Sequence, residues 1–514
     1  MTKVSVPPVI EQMLLSGFYP HEVREPIELI QTHVSFVLLA GDFAYKVKKS
    51  VNFGFLDFSS LEKRRHFCEE ELRLNQRGAG ELYLEVLPVT LDGDRYELGG
   101  AGEVVEYVLK MRAFPQAALF SSIFEQGRLT EGDLEELGRV VALYHDRGET
   151  NDYIRSFGTV AQVRAAFDEN YEQTLKYIGG PQTQQQFDET KLYTDRFFAE
   201  RTDLFESRMK GDFIRECHGD LHLRNICLWE NKIRLFDCIE FNEPFRFVDV
   251  MYDVAFTVMD LEARLSKDLG NAFLNTYVEQ TGDWEGLQVL PLYLSRQAYV
   301  RAKVTSFLLD DPGVPAAVKE EATNTAAGYY TQAWDYTKSR QGQLFLMSGL
   351  SGSGKSTTAR FLSRKLGAIH VRSDAVRKHL AGIPLLERGG DELYTPQMTQ
   401  KTYARLLDLG IMLASQGFSV ILDAKYDREQ LRKEAIATAE KHQIPLQILH
   451  CTAPLEVVEQ RLRDRKGDVA DATVDLLASQ VEQAEPFTEA EKTRVKFLDT
   501  TQPQDAQLKD VIRQ

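Results

Sequence analysis

The sequence predicts an α+β region followed by an α/β domain with a mostly parallel sheet. Three observations carry that reading. At 514 residues the chain is too long for one ordinary hydrophobic core, so two or three domains are expected. Short β-rich runs around a single helix fill the stretch to about residue 112, then give way to mainly helical periodicity. Beyond about residue 340, strand and helix alternate, the pattern of a parallel sheet covered by helices.

The elements follow in order. QTHVSFVLLAGDFAYKVKKS, 31–50, reads as two strands turning at Gly41-Asp42, a hairpin signal. SSLEKRRHFCEEELRLNQR, 59–77, reads as a helix capped by Ser59 or Ser60, with Glu62 in its first turn. Residues 82–89 and 104–111 read as strands. A helical part over about 113–335 is interrupted at 212–242 by short strands and a polar loop. The polar segment TQAWDYTKSRQGQ, 331–343, precedes a new apolar run, which sets the expected domains at 1–335 and 341–514. In the second, LFLMSG, AIHVRSD, FSVILDA and LQILHCT read as strands, each leading into a helical stretch.

The net charge of −16 is unevenly spread. Residues 1–340 hold 37 Lys and Arg against 54 Asp and Glu, whereas 341–514 hold 24 against 23. The acidic part disfavours nonspecific binding to nucleic acid or anionic membrane. The near-neutral part has no long basic run, which argues against an extended nucleic-acid surface. The five cysteines form no CxxC pair, so neither a disulfide framework nor a zinc site is expected. No signal-peptide core and no run of about 18 apolar residues occurs, so a soluble, cytoplasmic protein is the expectation.

Two motifs carry chemistry. GLSGSGKST, 349–357, satisfies G-x-x-x-x-G-K-[ST] between a predicted strand and helix. Gly349, Ser351, Gly352, Ser353 and Gly354 would turn backbone N–H groups around phosphate oxygens at a helix N-terminus. Lys355 would reach the β- and γ-phosphates of ATP, and Ser356, followed by Thr357, would ligate Mg²⁺. Downstream, Asp374 is a candidate base for a substrate hydroxyl, or else a helix N-cap. Arg377 is a candidate anion clamp, or a surface arginine. Asp423, at the end of SVILD, suits a water-mediated Mg²⁺ contact or a turn. Arg461 and Arg465 share a helix face and read either as lid arginines closing on the phosphoryl group or as a solvated basic face.

The second motif is HGDLHLRN, 218–225, with the spacing H-x-D-x-x-x-x-N. Protein kinases use that spacing for a catalytic Asp and a metal-binding Asn. Asp220 would accept the proton of an incoming hydroxyl and Asn225 would hold Mg²⁺. The short strand IRLFD delivers Asp237 as a second metal ligand, and His218 reads as a structural loop residue.

These motifs bring resemblances with them. GLSGSGKS, Ser373-Asp374, VILDA and RLRDR resemble the P-loop kinases of the zeta-toxin, gluconate-kinase and chloramphenicol-phosphotransferase type. HGDLHLRN with IRLFD resembles the aminoglycoside phosphotransferase and choline-kinase superfamily, which implies a kinase-like fold for the α+β region. That resemblance implies that Lys46, in AYKVKK, binds ATP phosphates with Glu70 or Glu71 as its partner. It also implies that EYVLKM, 106–111, is the hinge strand beside adenine. Alternation puts Lys46 and Lys48 on one strand face. No G-x-G-x-x-G lies between the first two strands, a departure from the kinase pattern. Over nearly the whole chain, VNFGFLDFSSLEKR and HGDLHLRNI resemble the bacterial bifunctional aminoglycoside phosphotransferase/ATP-binding proteins. The function expected is a pair of ATP·Mg²⁺-dependent small-molecule phosphotransferases acting on hydroxyl acceptors. The alternatives are an N-terminal ligand sensor that controls the P-loop half, or a P-loop half acting on a nucleotide, a nucleotide sugar or a nucleic-acid end.

Overall fold

The structure is a computed structural model that describes residues 6–23, 25–464, 469 and 474–512. Contacts divide the chain into two compact units: 1–129 with 143–168 and 198–260, and 130–142 with 169–197 and 261–514. The helical stretch 261–335, which the sequence reading groups with the N-terminal region, falls by its contacts in the second unit.

The first unit is built on an antiparallel sheet of β1 (Glu28–Gln31), β2 (Ser35–Ala40), β3 (Phe43–Lys48), β4 (Tyr83–Asp92), β5 (Arg95–Leu98) and β6 (Glu103–Arg112). Its spatial order is β1-β2-β3-β6-β4-β5. The β2–β3 hairpin turns at Gly41-Asp42, as the sequence predicts. Phe36, Leu38, Ala40, Tyr45 and Val47 put one face of this hairpin into a buried apolar cluster. Strict alternation therefore sends Lys46 and Lys48 to the other face.

Across that face runs the helix Leu61–Ala79, capped by Ser60, whose hydroxyl accepts from the Lys63 amide at 3.3 Å. Its buried residues Arg64, Cys68, Glu71 and Asn75 recur at helical spacing. Further along, β7 (Ile214–Glu216) pairs antiparallel with β10 (Phe247–Asp249), and β8 (Ile226–Trp229) with β9 (Lys232–Leu235). The polar loop 217–225 lies between β7 and β8.

The second unit contains a parallel sheet of β11 (Gln343–Ser348), β12 (Ile369–Arg372), β13 (Ser419–Asp423), β14 (Leu446–Thr452) and β15 (Val495–Asp499). The order is β12-β13-β11-β14-β15, so β12 and β15 are the edges. Residues 344–348 of β11 are buried without interruption, as a strand covered on both faces requires. All five cysteines are buried free thiols. Among the described residues no helix is long and apolar enough to cross a membrane.

Candidate active sites

In the first unit, Lys46 donates to Glu71 at 2.7 Å and to Asp237 at 2.8 Å. Lys48 donates to the other oxygen of Glu71 at 2.7 Å and also to Glu240. Glu71 is fully buried between the two ammonium groups. Burial works to raise its pKa, but the two lysines overcome that and hold the carboxyl below its usual range. Glu70, one position along the helix, points elsewhere and accepts from Arg73 at 2.9 Å. The open choice between the two glutamates thus resolves on the 100° step between neighbouring helical residues.

Asp220 and Asp237 line the same cavity, and Asn225 is tied to Asp220 behind it. The Asn225 amide donates to the Asp220 carbonyl oxygen at 3.0 Å and to its carboxylate at 3.1 Å. Asp220 and Asp237, with Lys46, line a cavity of about 380 Å³ that extends past Met111 and Phe114 at the end of β6. The His218 ring accepts from the Asp220 amide at 3.3 Å, and its Nε2 is 2.9 Å from the Phe236 carbonyl. Nε2–H donating to that carbonyl is the tautomer consistent with both contacts. His218 therefore acts on loop geometry, in line with its sequence reading.

Two carboxylates that hold this loop from a later helix were not anticipated. Buried Asp253 accepts from the His218 amide at 2.6 Å and the Gly219 amide at 2.8 Å, with His145 Nε2 at 3.2 Å. Asp260 accepts from the Leu223 amide at 3.0 Å. Their signal is in the sequence: Asp253 and Asp260 stand seven apart, hence on one face, in the mostly apolar helix Val250–Ala263. Lys48 and Glu240 were likewise missed as site-wall residues.

In the second unit the glycines of 349–354 form a tight backbone turn. A Cβ on Gly349, at φ +130°, would sit 2.3 Å from the Cys451 carbonyl oxygen. One on Gly354, at φ +94°, would meet the Thr500 side chain at 2.9 Å. Only glycine fits both positions. The helix Lys355–Leu366 starts at the end of this turn, with Ser356 and Thr357 in its first turn. Buried Lys355 donates to the Leu350 carbonyl at 2.7 Å, and burial pushes its pKa down.

A cavity of about 1370 Å³ opens in front of the turn. Ser351, Asp374, Arg377, Asp423 and Arg461 all line it. Asp423 closes β13, and its carboxylate accepts from His370 Nε2 at 3.0 Å. Burial works to raise its pKa, but His370, Arg372 and Lys355 bring it to about 2. Arg377 is buried, donates to the Leu393 carbonyl at 2.9 Å, and lies 5.0 Å from the Tyr394 ring centre. Arg461 donates to the Thr500 hydroxyl at 2.8 Å and carbonyl at 3.0 Å, and that hydroxyl donates to the Ser353 carbonyl at 2.7 Å. Arg461 is thus tied to the rim of the glycine turn. Arg465 lies outside the described residues. Arg372, Lys425 and Arg428 also line the cavity, a cationic contribution the motifs did not signal.

Both sites fit an ATP·Mg²⁺ ligand. Each offers lysine beside carboxylate oxygens, and the glycine turn leads into the N-terminus of the helix Lys355–Leu366 at its cavity.

The family described as AAA domain matches residues 344–487. Uncharacterized protein Rv2004c of Mycobacterium tuberculosis is 30% identical over 457 residues, which cover 88% of this chain and 89% of that protein. A solved choline/ethanolamine kinase family protein from Mesorhizobium loti is 12% identical, with a TM-score of 0.38, covering 64% of this chain and 99% of that one. A gluconokinase from Sinorhizobium meliloti is 20% identical, with a TM-score of 0.25, covering 34% and 92% respectively.

Proposed function

The chain belongs to the family of the mycobacterial protein Rv2004c, and on that footing we propose that it is a bifunctional ATP-dependent small-molecule phosphotransferase with a hydroxyl acceptor at each site. The domains proposed are 1–335 and 341–514. One observation supports the reading: two unrelated cavities in one chain each bring a lysine together with carboxylates, one around Lys46 and one around Lys355.

In the first site Lys46, held by Glu71, would neutralise phosphate charge. Asn225 and Asp237 are the residues that would hold Mg²⁺, which when bound neutralises charge on the transferring phosphates. Asp220 takes the acceptor's hydroxyl proton while the oxygen bonds to the γ-phosphorus and the bond to ADP breaks. In the second site the 349–354 turn and Lys355 would hold the phosphates, Ser356 and Asp423 are the residues that would hold Mg²⁺, and Asp374 would take the acceptor's proton. Arg377 and Arg372 would face an acceptor on the wall beyond Asp374.

The test is a nucleotide titration with product analysis. Wild type should bind two ATP per chain, and Asp220→Asn and Lys355→Ala should each abolish one transfer activity and spare the other. Incubation of a metabolite extract with ATP, followed by mass spectrometry, identifies each acceptor as a mass missing from one variant. If neither substitution lowers ATP turnover, the reading is wrong.

A further inference from the structure

The edge strand β12 is closed on its outer side by a helix from before residue 340. In a parallel strand paired on one side only, alternate backbone groups face outward. On β12 these are the Ala368 carbonyl and the His370 amide. Asn275, on the helix Lys267–Thr281, meets both: its Nδ2 donates to Ala368 O at 3.0 Å and its Oδ1 accepts from His370 N–H at 2.7 Å. One amide side chain thus supplies the donor and acceptor that a neighbouring strand would supply. Asn271, one turn earlier, also donates to Ala368 O, at 2.9 Å, and accepts from Arg364 at 3.0 Å. One turn later Glu279 accepts from Arg372 at 3.3 Å, and its carbonyl lies 2.7 Å from His379 Nε2. Asn271, Asn275 and Glu279 are spaced by four and form one helix stripe along the strand.

What the stripe grips matters for the site. His370, whose amide Asn275 holds, is the residue whose ring nitrogen holds Asp423. Arg372 ends β12 and Asp374 follows two residues on, and both line the cavity. We propose that Asn275 is a positioning residue of the P-loop site: by fixing the backbone of β12 it fixes His370, and through His370 the orientation of Asp423. This rests on reading that site as one for ATP·Mg²⁺. Partners behind a metal-side ligand typically contribute 10- to 100-fold in metal affinity.

The experiment uses the full-length chain with the first site silenced by Asp220→Asn and Asp237→Asn, so that ATP turnover reports the second site. In that background Asn275→Ala should raise the Mg²⁺ concentration for half-maximal turnover about tenfold. It should also speed amide exchange over residues 368–372, read by mass spectrometry without nucleotide. His370→Ala should raise the Mg²⁺ requirement similarly, and the double variant no further, because both act through one path. An unchanged Mg²⁺ requirement in Asn275→Ala at temperatures well below its melting transition would overturn the proposal, as would fully additive shifts. If Asn275→Ala does not fold, Asn275→Asp, which keeps only the acceptor for His370 N–H, is read by the same Mg²⁺ criterion. Lys355→Ala separates the two layers. If it leaves turnover intact, the nucleotide-site reading itself falls; if it abolishes turnover while Asn275→Ala shifts nothing, only the role of Asn275 falls.

Discussion

Glu71 is a single buried carboxylate shared by two lysines, and its removal leaves Lys46 with Asp237 alone and Lys48 with Glu240 alone. Breaking such a buried pair costs about 3–5 kcal/mol. Glu71→Ala should therefore lose stability on that scale in urea unfolding, whereas Glu70→Ala, which removes a partly exposed pair with Arg73 on the same helix, should lose about 1 kcal/mol or less. Asp423 gives a pH-dependent counterpart. Its folded pKa is lowered to about 2 from an ordinary 3.8, chiefly against burial and by His370. A lowered carboxyl pKa adds stability that is complete above the ordinary value and drains away as pH falls through the folded one. The difference in melting temperature between wild type and His370→Ala should therefore be full above pH 4 and narrow towards pH 2.

At the level of elements, the glycine turn allows the sharpest test. Gly349→Ala puts a methyl group against a backbone carbonyl at 2.3 Å in a conformation that suits only glycine. It should abolish the thermal shift that ATP·Mg²⁺ gives the second site. This turn was legible in the sequence because one local octet specifies strand, loop and helix together. The β2–β3 hairpin was legible through its alternation and its Gly-Asp turn, and the helix Leu61–Ala79 through its cap. β1 and β5, four residues each, were not, because so short a run carries too little periodicity to stand out. Only Leu498 of β15 is buried, with Val495 half-buried, Phe497 exposed and Lys496 between them, so that strand carries no continuous apolar signal. Contacts made by Glu240 and Asn275 depend on residues distant in sequence meeting in space, and no local pattern encodes them.

For the whole molecule, the helix that closes β12 belongs to the stretch before residue 340. A fragment starting at residue 341 would expose the outer edge of that strand, an open template for a second chain. Such a fragment should grow in mass with concentration in light scattering, and the intact chain should not. The thiols have a different consequence. Burial pushes Cys68 and Cys227 up to about 12 and Cys451 up to about 11, and Cys217 and Cys238 are enclosed as well. The native chain is therefore a quiet background for maleimide labelling. One cysteine introduced by Leu386→Cys, where the side chain is 70% exposed, would carry a dye at a single address beside the Asp374 helix, with none of the native sulfurs removed.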